Sequence, residues 1–202
     1  MVDGIGSLIS ECFYDGAIQN TAVPVPEWVE MTGLFQEQPV CWYSTELRPN
    51  RHESQQDRSY RNNCEVQQMK ALLGNLDLVL SAQNCDEKIK VLLLAPYSAQ
   101  VNAIRQSLQS IVLPSGNLSL EVNTVDAAQG READVLLFST TRSNSAGQIG
   151  FLKELSRANV ALSRARYLLA IVGDASFLSL VESPFKRVLS HIRANPGSCS
   201  VS

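Results

Sequence analysis

Three segments of the chain combine residue types that handle phosphates and bases. In Thr124-Val125-Asp126-Ala127-Ala128-Gln129-Gly130-Arg131-Glu132, Gly130 permits a close backbone approach and Gln129 offers both a donor and an acceptor. Glu132 can accept from a ribose hydroxyl or hold a neighbouring cation, so the segment contains the parts of a polyphosphate site. Asn159-Val160-Ala161-Leu162-Ser163-Arg164-Ala165-Arg166, with Arg157 just upstream, supplies arginines. An arginine at a domain edge can reach a transferring phosphate held by another domain and stabilise its developing charge. Ala95-Pro96-Tyr97-Ser98-Ala99-Gln100 offers a tyrosine ring for stacking on a base, a hydroxyl for a phosphate, and Gln100 one helical step further on.

Each segment also has an ordinary structural explanation. Asp126 can cap a turn, and Arg131-Glu132-Ala133-Asp134 can be a solvated charge cluster. Cations suit a helix C-terminus, and a Pro-Tyr turn commonly opens a helix. Spacing alone does not choose between these readings.

The elements that must position the segments follow from hydrophobic period. Ile89 to Ala95 is an apolar run, interrupted only by Lys90 and closed by Pro96, the pattern of a strand covered on both faces. Val40-Cys41-Trp42-Tyr43, Leu118 to Val125, Val135 to Thr140 and Tyr167 to Val172 are further strand candidates. Helical spacing predicts helices over Ile5 to Tyr14, about Cys64 to Leu80, Val101 to Ile111 and roughly Glu154 to Ala165. On the last of these, Arg157 and Arg164 fall on nearly the same face. Pro24, Pro26 and Gly33 interrupt any period between Thr21 and Gln38, and Asn50 to Asp57 reads as an exposed polar loop. Alternation of this kind predicts an α/β fold, a mainly parallel sheet flanked by helices. Because ligand contacts in such sheets come from strand-end loops, the three segments are expected at one rim. One domain is expected over residues 1–196, with a frayed tail at 197–202.

Composition bounds the function. Apolar residues make up 45% and charged residues 18% of the 202, which suits a packed core rather than a disordered chain. A net charge of −3 and a pI near 5.4 argue against holding nucleic acid by bulk positive charge and leave a local groove open. Cys12, Cys41, Cys64, Cys85 and Cys199 are odd in number and widely spaced, so reduced structural thiols are expected, with neither a disulfide framework nor a metal site. No apolar run is long enough to span a membrane and no signal peptide opens the chain, which favours an intracellular protein, cytoplasmic or nuclear. The sequence has no G-x-x-x-x-G-K-[ST] loop and no apolar strand ending in an Asp-Glu pair for Mg²⁺, so hydrolysis of ATP by this chain alone is not expected.

Taken in order, the segments resemble the motifs of the second, C-terminal RecA-like domain of superfamily 1B helicases, in the branch of the nonsense-mediated-decay RNA helicase and senataxin-like proteins. Pro-Tyr-x-x-Gln is at Pro96, Tyr97 and Gln100, and Val-Asp-x-x-Gln-Gly-x-Glu is at Val125, Asp126, Gln129, Gly130 and Glu132. Asn-Val-Ala-Leu-Ser-Arg-Ala runs from Asn159 to Ala165, and Thr141-Arg142-Ser143-Asn144 with Ile149-Gly150-Phe151-Leu152 is similar to the family's connector. Ile5 to Gly16 and Ser59-Tyr60-x-Asn62-x-x-Glu65 extend the likeness upstream.

The resemblance implies a RecA-like domain of the P-loop NTPase type without the phosphate-binding loop. It implies a motor in which ATP and Mg²⁺ are shared with an N-terminal RecA-like lobe and single-stranded RNA or DNA crosses both lobes. In that picture Arg164 is the catalytic arginine finger, and Gln129, Gly130 and Glu132 border the nucleotide. Pro96, Tyr97, Gln100, Thr124, Val125 and Arg142 are expected to contact the strand. The alternative is a non-catalytic module that binds single strands or a protein. The family's Gln-Tyr-Arg-Met-His-Pro segment before the first helix has no counterpart here, which leads to the expectation of a piece of a longer helicase or a degenerate form.

Overall fold

The computed structural model describes residues 1–21, 23–31 and 38–202. In chain order the first elements are α1 (Asp3–Tyr14), α2 (Glu27–Met31), β1 (Val40–Ser44), β2 (Ser54–Gln56), β3 (Ser59–Arg61), α3 (Asn63–Ala82) and β4 (Ile89–Ala95). They are followed by α4 (Ser98–Leu108), β5 (Leu118–Thr124), β6 (Ala133–Ser139), α5 (Leu155–Leu162), β7 (Ala165–Gly173), α6 (Ala175–Leu180), α7 (Pro184–Ala194) and β8 (Cys199–Val201). Single 3₁₀ turns lie at Asp126–Ala128 and Gly150–Lys153.

Six strands form one sheet in the order β5-β4-β6-β7-β1-β8, and every pairing in it is parallel. The expected α/β class, a parallel sheet flanked by helices, is what the chain adopts. Side chains alternate across a strand, and the two faces of the sheet build two cores. Leu92, Leu94, Leu136, Phe138, Leu169 and Ile171 pack with α1, α5, α6 and α7. Val91, Leu93, Val135, Leu137, Ala170 and Val172 pack with α3 and α4 on the other face. Continuous apolar runs are what a doubly covered parallel strand requires.

Several local expectations are corrected. The tail 197–202 does not fray: Cys199–Val201 pairs with Val40–Trp42 as an edge strand, and its ladder hydrogen bonds and the buried Cys199 hold it. The stretch read as a loop over Asn50 to Asp57 instead leads into an antiparallel hairpin of β2 and β3 that turns at Asp57, whose φ is 54°. A short helix, α2, forms behind Pro26 and buries Trp28, although the stretch from Thr21 to Gln38 showed no period; Gly33 lies outside the described residues. Beyond Phe177, α7 presents Phe185, Val188, Leu189 and Ile192 as one buried stripe, with Ser183 as its cap and Pro184 in its first turn. Among the described residues no helix is long and apolar enough to cross a membrane, and the five cysteines are free.

Candidate nucleotide edge and nucleic-acid groove

The three segments occupy two rims, and the connection from β5 to β6 explains the split. The two strands are parallel and β4 lies between them, so the chain must leave the carboxyl end of β5 and return across the sheet to the amino end of β6. Residues 125–132 make that crossing, anchored by the buried side chains of Val125 and Ala128. Thr124 therefore marks one rim, and Gln129, Gly130 and Glu132 arrive at the opposite one. The expectation of a single rim is corrected by strand order.

At the amino-end rim, Arg164 immediately precedes β7 and Glu132 immediately precedes β6. The backbones are tied by Ala133 N–H donating to the Arg164 carbonyl (3.0 Å), and Arg164 Nη1 lies 3.4 Å from the Arg131 carbonyl. Arg164 Nε donates to the Val160 carbonyl (2.8 Å) and Nη2 to Ser163 Oγ (3.1 Å), so the guanidinium is aimed by its own helix end. It has no carboxylate partner among the described residues. Gln129, Gly130 and Glu132 are exposed beside it. Gly130 has φ +80° with open space where a Cβ would stand, so it is needed for the left-handed turn and not for room. Next to Glu132, a shallow depression of about 350 Å³ is lined by Lys90, Ser119, Glu121, Arg131 and Glu132.

Arg157 is at the other rim. Helix α5 ends at Leu162, so the helical spacing that would align Arg157 with Arg164 does not extend to Arg164. Eight residues at the usual rise make α5 about 12 Å long, which separates its two ends. Arg157 pairs with Asp126 and Glu154, each at 3.2 Å, and lies 5.0 Å from the centre of the Phe151 ring.

At the carboxyl-end rim an open groove of about 620 Å³ is lined by Pro96, Ser98, Thr124, Asp126, Phe151 and the hairpin residues Arg58 and Arg61. Of three residues expected to contact a strand here, Gln100 and Arg142 are interior, and Tyr97 lines the groove with only 4% of its surface exposed. Gln100 is fully buried: Oε1 accepts from Asn62 N–H (2.7 Å), and Nε2 donates to the Asn62 carbonyl (3.1 Å) and Ser139 Oγ (2.8 Å). Every polar atom of its amide is committed inside the protein. Arg142 is 3% exposed; its Nε pairs with Glu53 (3.0 Å), Nη1 donates to Tyr97 Oη (3.0 Å), and its guanidinium sits 4.0 Å from the Tyr60 ring centre. Tyr97 is buried between Tyr60 and Phe151, and its hydroxyl also accepts from Phe151 N–H (3.2 Å). Val125 contributes its side chain to the core, leaving only backbone for a ligand. Pro96 and Thr124 remain at the groove wall.

Under this rim lies a polar network that spacing did not reveal. Glu65 is fully buried and accepts from Ser139 Oγ (2.6 Å), Thr141 N–H (2.8 Å), Asn62 Nδ2 and Thr140 Oγ1 (both 3.2 Å). Burial pushes its carboxyl up to about 8 despite those donors. Asp174, which accepts from Ser143 Oγ two residues beyond Thr141, moves the other way. Burial opposes that shift, but donors from Ser176, Phe177 N–H and Ser143, with the Arg51 guanidinium at 3.1 Å, hold it below the usual carboxylate range. The network sets the left-handed Thr141 (φ 68°) and hence the course of Arg142 and Ser143. The Asn62-x-x-Glu65 pair was visible as a capping signature, with Asn62 Oδ1 accepting from Glu65 N–H. Its partners on β6 were not. Sequence reasoning also passed over the exposed Phe151 and the arginines of the hairpin.

Comparison with known proteins agrees with this architecture. A family model described as an AAA domain matches residues 1–176. The DNA polymerase alpha-associated DNA helicase A of Saccharomyces cerevisiae is 33% identical over 143 residues, 69% of this chain and 20% of that protein. The probable helicase MAGATAMA 3 of Arabidopsis thaliana is 28% identical over 195 residues, 91% of this chain and 23% of that protein. The chain thus spans about a fifth of the length of these relatives. Among solved structures, the C-terminal domain of a possible DNA helicase from Lactobacillus plantarum WCFS1 superposes with a TM-score of 0.50 over 98% of this chain and 95% of that one, at 13% identity. That likeness speaks for the fold. With the ordered motifs and the parallel sheet, the family match shows that the chain belongs to the superfamily 1 helicases, as a C-terminal RecA-like domain.

Proposed function

We propose that the chain is the C-terminal lobe of an ATP-dependent helicase, in which Arg164 is the arginine finger toward a nucleotide bound on an N-terminal RecA-like lobe. The observation that carries this reading is the guanidinium of Arg164, without a carboxylate partner among the described residues, held 3.4 Å from the carbonyl of Arg131, the residue between Gly130 and Glu132. A cation fixed in place yet not neutralised is the arrangement that stabilises developing phosphate charge. Among the described residues no cluster of His, Cys, Asp and Glu could hold a metal ion, so Mg²⁺ would be carried with the nucleotide by the other lobe. This chain's residues fit one side of a nucleotide: Gln129, Gly130 and Glu132 line its edge and Arg164 faces its phosphates.

Single-stranded RNA or DNA would lie in the opposite groove, against Pro96, Thr124 and Phe151. Phe151, 46% exposed, takes the stacking role expected of Tyr97. A cycle of lobe closure on ATP and opening after hydrolysis would then shift this groove relative to its partner.

The test is reconstitution with the N-terminal lobe of a relative. Arg164→Ala should lower ATP turnover by about three orders of magnitude or more, in the range of known arginine fingers, while nucleotide binding changes little. Turnover unchanged by that substitution would overturn the assignment. Were no lobe combination to restore turnover while the chain still bound oligonucleotides, the non-catalytic binding module would be the better reading.

A further inference from the structure

The rim groove does not end at the hairpin. A second cleft of about 390 Å³ runs between α3 and α4 and shares Arg61, Ala103 and Gln106 with the groove, so the two are continuous. Its walls are two polar helix stripes. Helix α4 contributes Ala103, Gln106 and Ser107, with Ser110 just beyond its end, and α3 contributes Asn63, Gln67 and Lys70, each set at the three- and four-residue spacing of one helix face. The small Ala103 and Ser107 leave the floor open. At the far end Lys70 Nζ donates to Ser110 Oγ (2.8 Å).

Charge distinguishes this cleft from the rest of the molecule. The chain carries a net charge of −3, yet the cleft is lined by Arg61 and Lys70 and by no acidic residue. At its entrance the side chains of Arg58 and Arg61 have neither a hydrogen bond nor an ion pair among the described residues; of the two acidic residues lining the adjoining groove, Asp126 is paired with Arg157 and Asp57 remains to oppose them. Apart from Val66 and Ala103, the remaining lining offers neutral amides and hydroxyls, the donors that contact phosphate and sugar oxygens without choosing a sequence. It holds no aromatic ring, so it is built for backbone and not for bases.

We infer that the α3–α4 cleft is a track for the sugar-phosphate backbone of a single strand leaving the rim groove, with Arg58 and Arg61 at its entrance and Lys70 at its far end. The inference rests on the strand-binding reading above and extends it: the footprint of the lobe is longer than the rim, and its added length binds phosphate without sequence preference.

Fluorescence anisotropy of this chain with labelled oligo-dT and oligo-U of about 6 and about 14 nucleotides, within the usual range for single-strand sites, separates the two claims. The longer strand should bind more tightly, and the Lys70→Ala variant, whose side chain lines the cleft and not the rim groove, should lose part of that advantage while binding the short strand as before. Its log-affinity against log-salt slope for the long strand should fall by about 0.7, from one phosphate contact. A second variant, Gln67→Glu, adds charge within the cleft alone without removing packing and should weaken the long strand alone. Long-strand affinity and salt slope left unchanged by both variants would overturn the track and leave the rim groove standing. Failure of the unaltered chain to bind either length at low salt would overturn the rim groove and the track together.

Discussion

Arg142 and Glu53 form an ion pair at 3.0 Å with side chains only 4% and 5% exposed, eighty-nine residues apart in the chain. Glu53 binds the same loop twice more, accepting from Ser143 N–H (2.5 Å) and Asn144 Nδ2 (2.9 Å). An arginine that sequence assigned to a nucleic-acid strand is thus a fastening between the approach to the hairpin and the loop after β6. It packs on the Tyr60 ring, holds Tyr97 and through it Phe151 in the wall of the groove, and does not itself project into it.

Glu53→Ala should leave the Arg142 guanidinium buried without its counter-ion, at a loss of about 3–5 kcal/mol. Urea denaturation followed by circular dichroism measures this. A loss below 1 kcal/mol would mean that the pair is more hydrated than its exposure indicates.

Gln100→Leu should destabilise the fold, because Asn62 N–H loses its acceptor and Ser139 its donor in a site without water access; about 1–3 kcal/mol is expected for such orphaned groups. Oligonucleotide affinity of the folded fraction should stay the same. A variant of ordinary stability with much weaker strand binding would return Gln100 to the binding surface.

Glu65 gives the stability a definite pH dependence. Its carboxyl titrates near 8 when folded and near 4.5 when exposed, so the native state holds a proton that the unfolded chain releases across that interval. Stabilisation from this group is complete below the lower value and is lost as pH rises through the upper one, with a slope of up to about 1.4 kcal/mol per pH unit. Glu65→Gln, which cannot ionise, should flatten the profile between pH 5 and pH 8, roughly the interval where maximal stability is usual. Denaturation midpoints at several pH values decide it; an equal slope in both proteins would exclude Glu65 as its source.

Two glycines should respond differently to alanine. Gly130→Ala meets open space and suffers only its left-handed φ of +80°, about 1–2 kcal/mol. Gly150→Ala has φ +60° and in addition drives its methyl group into Tyr97 Oη and Arg142 Nη1, so it should cost more and disturb the groove wall. Comparing thermal unfolding with anisotropy for the two variants tests the distinction.

The sequence by itself determined the class of the fold and most of its parts. The run Ile89 to Ala95 is buried on both faces except at Lys90, and α1 and α3 follow their apolar stripes to within two residues at each end. Those patterns are local, with periods of two or of three and four residues, and therefore can be read along the chain. The stripe of α7 and its Ser183-Pro184 start are patterns of the same local kind, but sequence reasoning named no helix there. Strand order was not: that β4 lies between β5 and β6, carrying Gly130 and Glu132 to the rim opposite Thr124, follows from pairings between residues dozens of positions apart. The fates of Tyr97, Gln100 and Arg142 were hidden for the same reason. Their partners Tyr60, Asn62 and Glu53 come from an earlier stretch of chain, and whether a polar side chain meets solvent or a partner is decided only when distant segments close over it.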